Sequence, residues 1–183
     1  MRIIAGTYGG RRLAAPRDLS LRPTTDRVKQ TIFDILANRL TLEGIDVLDL
    51  FAGSGSLGLE ALSRGARSVT FIEKSAQSLS LLEKNIRALG CEDLASVHQA
   101  DAFWYLKNPH KVYDLVFVDP PFKLETIGTL PAALAASRAI RSGTYVVMEH
   151  GRDSDVPVPS TAFETVRKTF GHTVVLILRA CEP

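Results

Sequence analysis

The sequence Asp119-Pro120-Pro121-Phe122 combines a carboxylate, two rigid residues and an aromatic ring within four positions. Two consecutive prolines fix φ and remove two backbone N–H donors, so this segment presents acceptor oxygens. The Asp119 carboxylate and the Pro120 carbonyl can accept both hydrogens of an exocyclic amino group on a nucleobase and direct the nitrogen lone pair toward an electrophile. Phe122 can stack on the base. The four residues therefore form a predicted catalytic site for chemistry on a base amine.

A glycine-rich turn, Gly53-Ser54-Gly55-Ser56-Leu57-Gly58, matches G-x-G-x-x-G between a predicted strand and a predicted helix. Taken alone, this turn and the acidic residue Glu73, 20 positions after Gly53, fit an NAD site. Asp49 precedes the turn, however, and its carboxylate would repel a pyrophosphate and attract a cation. S-adenosylmethionine carries a sulfonium, an ammonium and a carboxylate, so Asp49 and the amides of the turn suit it better.

Glu73 and Asp101 each come just after a predicted strand, at residues 68–72 and 95–99. Glu73 is predicted to accept both ribose hydroxyls of the cofactor, and Asp101 the adenine amino group, with Ala102 leaving space for the ring. Because the carboxyl ends of parallel strands meet at one edge of a sheet, we expect these two acids and Asp49 to line one cleft.

These residues need a sheet that brings strand ends together, and the hydrophobic pattern predicts one. Short apolar runs alternate with amphipathic segments, which is typical of a parallel sheet with helices on both faces. Strands are predicted at residues 47–50, 68–72, 95–99, 113–118 and 144–148, and helices at 57–63, at 78–89 and after Pro23. Segments 163–170 and 173–179, separated only by Gly171-His172, predict a terminal antiparallel hairpin. The predicted fold class is therefore α/β, with the sheet plan of a Rossmann-like methyltransferase.

The chain has 183 residues, 45% of them hydrophobic and 23% charged, which fits one folded domain and excludes collagen-like and disordered classes. No stretch approaches the roughly 20 apolar residues of a membrane helix, and the first residues lack the apolar region of a secretory signal, so we expect a cytoplasmic protein that binds no membrane. Cys91 and Cys181 are isolated, and the four histidines show no ligand spacing, so we expect no metal.

The net charge of +2 hides an uneven distribution along the chain. Residues 1–29 hold seven basic side chains against two acidic ones, a net charge of +5, whereas the remainder has 15 basic and 18 acidic side chains. A basic segment on a near-neutral body can attract phosphate backbones locally.

Four segments carry a resemblance to a known family. They are Met1-Arg2-Ile3-Ile4-Ala5-Gly6 with Gly10-Arg11-Arg12-Leu13, Arg22-Pro23-Thr24-Thr25-Asp26-Arg27-Val28, the block from Asp49 to Ala61, and Asp119-Pro120-Pro121-Phe122. Over nearly its whole length the sequence resembles the bacterial small-subunit ribosomal RNA guanine-N2 methyltransferases, which act on 16S rRNA. That family commonly has Tyr as the fourth residue of the catalytic motif, and Phe122 keeps the stacking face without the hydroxyl.

The resemblance implies S-adenosylmethionine as cofactor and a flipped guanine of 16S rRNA, within the assembling or assembled 30S subunit, as substrate. It implies a monomer with a seven-stranded, mostly parallel sheet, divided into a basic N-terminal β-hairpin extension (1–22), a cofactor-covering segment and helix (23–40) and a catalytic core (41–183). The predicted cofactor-binding residues are Pro23, Thr24, Thr25, Asp49, Phe51, Ala52, Gly53, Ser54, Gly55, Glu73, Lys74, Asp101 and Ala102. The predicted RNA-binding residues are Arg2, Arg11, Arg12, Arg17, Arg22 and Arg27.

Three alternatives remain open from the residues alone. The same catalytic motif serves adenine-N6 methylation of DNA or RNA. A nucleotide-binding or ribosome-binding module without catalysis would also need a basic surface and a glycine-rich turn. An NAD enzyme is the third alternative, on the strength of the turn alone.

Overall fold

Seven strands and five α-helices make up the described part of the chain, residues 1–15, 26–121 and 124–182. In the computed structural model the strands are β1 (Asp46–Leu50), β2 (Ser68–Glu73), β3 (Ala95–Gln99), β4 (Leu115–Val118), β5 (Tyr145–Gly151), β6 (Phe163–Phe170) and β7 (Thr173–Ala180). The helices are α1 (Asp26–Ala37), α2 (Ser56–Ser63), α3 (Ala76–Leu89), α4 (Ala102–Lys107) and α5 (Leu130–Ala135).

The seven strands form one sheet in the order β3-β2-β1-β4-β5-β7-β6. Strands β1 to β5 are mutually parallel, β7 pairs antiparallel with β5, and β6 pairs antiparallel with β7. The predicted fold class is therefore confirmed: a Rossmann-like, mostly parallel seven-stranded sheet that ends in an antiparallel hairpin. This order places β4 at the centre of the sheet, with three strands on either side.

The central strands read as continuous apolar runs because both of their faces are covered. Every residue of β4 is buried, and so is every residue of β1 after Asp46. One face of the sheet packs against α1, α2 and α3, and the other packs against α4 and α5. Side chains alternate between these two faces along each strand, which decides which functional residues can meet.

The structure differs from the predicted elements mainly where the segments are short. Helices α4 and α5 were not predicted, because six residues make fewer than two turns and show no helical period. Strand β4 begins at Leu115, two residues later than predicted, while β5 extends to Gly151.

The N-terminal segment folds back on itself as predicted, and it packs on the body of the protein. Arg2 and Arg12 form an antiparallel bridge, and the Ile3 N–H donates to the Arg11 carbonyl at 2.9 Å. Ile3 and Leu13 are buried in the core under this hairpin. Gly6, at φ +82°, lies so close to α2 that a Cβ there would stand 1.7 Å from the Ser63 carbonyl oxygen. The hairpin is thus docked along α2.

A fully buried ion pair anchors this hairpin. The Lys29 ammonium of α1 lies 3.4 Å from the Glu60 carboxylate of α2, and neither side chain is exposed. The same carboxylate accepts from the N–H groups of Ile4 at 2.7 Å and Ala5 at 3.1 Å, while Lys29 donates to the Arg2 carbonyl at 2.6 Å. Burial lowers the pKa of Lys29 and Glu60 opposes that shift. Two helices and the hairpin therefore meet at one satisfied charge pair.

The predicted division at residues 22–23 and 40–41 stays a prediction, since the first of these boundaries falls among residues 16–25, outside the described part. Within the ranges that are described, no helix has the length and apolar character needed to cross a membrane.

Candidate active site at the carboxyl ends of the strands

Acidic side chains gather where β1, β2 and β4 end. Asp49 of β1 is paired with Phe71 of β2 and with Phe117 of β4. Glu73 and Asp119 each follow two residues after those phenylalanines, so the alternation of side chains puts all three acids on the face covered by α1, α2 and α3. The charges of Asp119 and Glu73 both contribute to the raised pKa of Asp49. The predicted meeting of Asp49 and Glu73 at one edge therefore holds, and Asp119 joins them.

The turn between β1 and α2 needs unusual backbone conformations. Phe51 has φ 60° and is the one non-glycine residue with positive φ among the described residues, and Gly53 follows at φ 55°. Gly55, at φ 84°, starts α2, and its N–H donates to the Ala52 carbonyl at 2.7 Å. A strained residue held inside a glycine turn is typical of a ligand-binding loop.

Two of the glycines are also required by packing. A Cβ at Gly55 would lie 2.4 Å from Leu82 Cδ1, and one at Gly58 would lie 2.4 Å from Phe71 Cε1. The first turn of α2 can therefore approach β2 and α3 closely only without side chains at these positions. The G-x-G-x-x-G spacing is therefore required by packing, whether or not the turn also binds a ligand.

Asp49 holds the turn from inside the protein. Its side chain is buried, and its Oδ2 accepts a hydrogen bond from the Gly58 N–H at 2.9 Å. Burial raises the pKa of Asp49 to about 8, while the bond from Gly58 opposes that shift. The observed role of Asp49 is to tie the start of α2 to β1, and its predicted direct contact with a cofactor ammonium stays a prediction.

Glu73 shapes the same turn from the neighbouring strand. Its Oε2 accepts from the Gly53 N–H at 2.8 Å, and its Oε1 accepts from the Ser75 N–H at 2.7 Å. An ionised carboxylate has about four acceptor positions, so a half-buried Glu73 retains capacity for two more donors. This arrangement fits the ribose hydroxyls of S-adenosylmethionine, because the carboxylate is already oriented and partly open to solvent.

Asp101 and Lys74 are paired at the ends of β3 and β2. Asp101 caps α4 by accepting from the N–H groups of Phe103 at 3.0 Å and Trp104 at 3.2 Å. Its other oxygen lies 3.6 Å from the exposed Lys74 ammonium. Ala102 is buried at the start of α4. Cofactor contacts from these three residues stay predictions, and the cap explains why Asp101 keeps a fixed position.

The predicted catalytic motif follows β4, the central strand. Asp119 is half-buried, Pro120 is buried and Pro121 is exposed, and the Pro121 carbonyl accepts from the Leu124 N–H at 2.9 Å. In the next strand Glu149 is buried, and it lies beside Asp119 because Met148 pairs with Val118. The motif thus begins at the same sheet edge as Asp49 and Glu73.

Several predicted site residues lie outside the described residues. They are Pro23, Thr24 and Thr25 of the cofactor-covering segment, Phe122 of the catalytic motif, and Arg17 and Arg22 of the predicted RNA-binding set. Their roles stay predictions.

The remaining predicted RNA-binding arginines are all exposed. Arg2 pairs with Asp26 at 3.3 Å, and the Arg11 guanidinium donates to the Ala88 carbonyl at the end of α3. Arg12 and Arg27 are exposed on the hairpin and on α1. These four cations lie on the half of the molecule that carries α1, α2 and α3.

Asn85 is a site residue that the sequence analysis missed. It is buried in α3, where its side-chain oxygen accepts from the Ala14 N–H at 2.7 Å and its amide donates to the carbonyls of Ala14 at 3.1 Å and Ser54 at 2.9 Å. One amide therefore ties the glycine turn to the N-terminal segment. A lone polar residue in an amphipathic helix gives no sequence signal for this role.

Within the ranges the structure describes, no group of three or more His, Cys, Asp or Glu side chains could hold a metal ion.

Comparisons with known proteins agree with this architecture. The chain is 36% identical to "Ribosomal RNA small subunit methyltransferase D" of Haemophilus influenzae, over 93% of this chain and 89% of the relative. It superposes on the Escherichia coli protein yhhF with a TM-score of 0.88 and 32% identity, covering 100% and 99% of the two chains. A hypothetical protein of Thermus thermophilus gives a TM-score of 0.84 at 29% identity over 98% and 99%. The model of the family described as "Conserved hypothetical protein 95" matches residues 1–179, so this chain belongs to that family.

Proposed function

We propose that this protein transfers a methyl group from S-adenosylmethionine to the exocyclic N2 amine of a guanine in 16S rRNA. The single observation that carries the proposal is the position of Asp119-Pro120-Pro121, directly after the central strand and beside the turn held by Asp49 and Glu73. Methyl transfer requires the methyl donor and the base amine to lie next to each other. The catalytic motif and the glycine turn share one sheet edge, so a donor bound at the turn and an amine bound at the motif can meet there.

The residues around the turn fit S-adenosylmethionine. Glu73 is oriented by the Gly53 and Ser75 N–H groups and has lone pairs left for the ribose. The carboxylates of Glu73 and Asp119 make this edge attractive to a cation and unfavourable for a pyrophosphate, which supports the methyl donor over NAD. When bound, S-adenosylmethionine supplies a methyl group activated by its sulfonium.

The chain's own residues would orient the amine. Asp119 can accept one N–H of the base and the Pro120 carbonyl the other, since two prolines leave this segment without competing N–H donors. Holding both hydrogens turns the nitrogen lone pair toward the methyl group and removes the need for a strong base. Asp119 is half-exposed, so the proton that leaves the amine after transfer has a route to water.

The substrate class follows from the relatives and from the charge. The Haemophilus influenzae relative is a small-subunit rRNA methyltransferase by name. The exposed arginines of the N-terminal hairpin and α1 supply the local positive charge that an RNA backbone needs. The proposal includes action on the assembling or assembled 30S subunit in the cytoplasm, by a monomer whose segment 23–40 covers the cofactor.

The identity of the methylated nucleoside tests this proposal. Small ribosomal subunits from a bacterial strain that lacks its own enzyme of this family are incubated with the protein and methyl-labelled S-adenosylmethionine, and the 16S rRNA is digested to nucleosides. We expect the label in N2-methylguanosine. Label in N6-methyladenosine would replace the guanine assignment by the adenine alternative, and the absence of any transfer would favour a non-catalytic binding module.

A further inference from the structure

The end of the C-terminal hairpin that lies at the catalytic edge carries unpaired cations. Strand β5 runs toward this edge, so the antiparallel β7 begins there, at Thr173, and β6 ends there, at Phe170. Arg167 and Lys168 are exposed near this end of β6. Arg152 is exposed just after β5, and its N–H donates to the His172 carbonyl at 2.8 Å. We call Arg152, Arg167 and Lys168 the hairpin cations.

The hairpin cations differ from several basic side chains at the other end of the sheet, which are ion-paired. At the amino ends of the parallel strands four basic side chains are paired with carboxylates: Arg67 and Lys111 with Asp46, Arg141 with Asp114, and Arg179 with Glu164. Among the described residues, none of the hairpin cations forms an ion pair. Asp153 and Asp155 follow Arg152 in the chain but make no ion pair with it in that part of the structure. The hairpin cations therefore add exposed positive charge to the catalytic edge, beyond the Lys74 ammonium that is paired with Asp101.

Register places the hairpin cations level with the catalytic motif. Lys168 is opposite Val175, Val175 is opposite Glu149, and Glu149 lies beside Asp119. Three strand spacings of about 4.8 Å separate β4 from β6, so the Cα atoms of Asp119 and Lys168 are roughly 14 Å apart. At about 3.4 Å per nucleotide along one strand, this separation corresponds to about four nucleotides.

Arg2, Arg12 and Arg27 lie on the other side of the motif, whereas Arg11 is bound at the far end of α3, toward the amino ends of the strands. The N-terminal hairpin packs on α2 and α3, over the half of the sheet that contains β1, β2 and β3, whereas the hairpin cations border β6 at the opposite edge. Asp119 follows the central strand between them. An RNA that places a base at Asp119 can therefore extend toward positive charge in both directions.

We propose that Arg152, Arg167 and Lys168 form a second phosphate-contact surface for the RNA substrate, on the side of the catalytic motif opposite the N-terminal arginines. This inference rests on the proposed function and adds a binding surface to it. Arg167 and Lys168 point to opposite faces of the edge strand, so they hold the backbone around the rim of the sheet.

A different role for these side chains is protection of the edge. Strand β6 is an edge strand, and charged residues on such strands prevent pairing with another copy. Under that role the removal of the charges would promote self-association without changing the number of phosphates neutralised on the RNA. The test therefore measures both properties.

The test compares two double variants, each lacking two positive charges. Arg167→Gln/Lys168→Gln removes charges at the catalytic edge, and Arg141→Gln/Arg179→Gln removes ion-paired charges at the other end of the sheet. Binding to small ribosomal subunits from a strain lacking its own enzyme is measured between about 50 and 200 mM salt. Sedimentation reports self-association, and quenching of Trp104 by S-adenosylmethionine reports that the cofactor site is intact.

For Arg167→Gln/Lys168→Gln we expect the slope of log K against log salt to become less negative by about 1.5 to 2, because each lost phosphate contact contributes about 0.7 to 0.9. Affinity near 150 mM salt should fall roughly tenfold, with cofactor binding unchanged and the control variant like wild type. Arg167→Lys should retain the wild-type slope.

The inference is overturned if the slope of the catalytic-edge variant equals that of wild type, with or without self-association. It is also overturned if both double variants change the slope equally, since net charge alone would then explain the effect. Wild type that binds but does not methylate the subunits would contradict the proposed function and leave the binding comparison valid.

Discussion

Asp49 is a residue whose ionisation opposes folding. Burial raises its pKa from 3.8 to about 8, so the folded protein keeps this proton over a range in which the unfolded chain has lost it. Between these two values the native state binds more protons than the unfolded state, and the free energy of unfolding therefore falls as the pH rises. The stabilisation is complete below about pH 4 and is lost as the pH passes through the folded-state pKa.

We predict that Asp49→Asn removes this dependence. Asparagine can still accept the hydrogen bond from the Gly58 N–H, but it has no proton to lose. In urea unfolding at about pH 5, 6, 7 and 8, wild type should lose stability relative to Asp49→Asn by up to about 1.4 kcal/mol per pH unit. The raised pKa of Asp49 would be contradicted if the difference in free energy of unfolding between wild type and Asp49→Asn stayed constant with increasing pH, or changed in favour of wild type.

The buried pair of Lys29 and Glu60 makes a second prediction at the residue scale. Replacing Lys29 by Met removes the fully buried cation from the Glu60 carboxylate, which keeps the Arg64 guanidinium at 2.8 Å and the N–H groups of Ile4 and Ala5. Loss of one partner of a buried pair typically costs about 3–5 kcal/mol, and we expect the lower end of that range. The matched control is Lys84→Met, because Lys84 is exposed on α3. Equal unfolding free energies for the two variants would show that the pair does not anchor the hairpin.

At the scale of elements, α3 links the N-terminal segment to the glycine turn through Asn85. Truncation to Ala removes its bonds to Ala14 and Ser54 and leaves buried backbone groups unpaired, which costs about 1–3 kcal/mol. We predict in addition that Asn85→Ala weakens S-adenosylmethionine binding roughly tenfold, a loss of about 1.4 kcal/mol, because the turn loses an anchor.

Calorimetric titration of Asn85→Ala with the cofactor checks this prediction, and Asn38→Ala is the control because Asn38 is exposed at the end of α1, where its amide donates to the Asp34 carbonyl. If the Asn85→Ala variant is less stable but binds the cofactor as tightly as wild type, Asn85 has a structural role only and the prediction is wrong.

The helices and strands could be predicted from the sequence where they are long enough to show a periodic spacing of apolar residues. The five parallel strands and the terminal hairpin follow from apolar runs and alternation, and α3 from its apolar face. Helices α4 and α5 were missed because they are short. The sequence also placed acids at strand ends, but it could not predict that Asp49 and Glu73 bind Gly58 and Gly53, because those contacts depend on how the turn folds. The Lys29–Glu60 pair was missed because charged residues are rarely fully buried.

At the scale of the whole molecule, the sheet order explains why charge and catalysis are arranged as they are. Asp119 follows the central strand, and the exposed cations of the N-terminal hairpin and the hairpin cations lie on either side of it. The sequence revealed the N-terminal excess of charge, but only the pairing of β6 with β7 shows that Arg167 and Lys168 reach the same edge. The net charge of +2 for the whole chain therefore does not indicate the local positive charge of the N-terminal hairpin or of the hairpin cations.

In the proposed reaction Asp119 acts on the base amine and not on the cofactor. The most direct test is the single-turnover rate of methyl transfer to small ribosomal subunits by Asp119→Asn, with cofactor affinity measured on the same preparation. Trp104 is the protein's one tryptophan and is 55% exposed, and its backbone N–H donates to Asp101, so its fluorescence can report cofactor binding close by.

For Asp119→Asn we expect a rate at least about 100-fold below wild type, as for the loss of one oriented group at a reacting centre, with cofactor affinity within about threefold of wild type. A rate close to that of wild type, or a loss of rate explained entirely by lost cofactor binding, would contradict this role of Asp119.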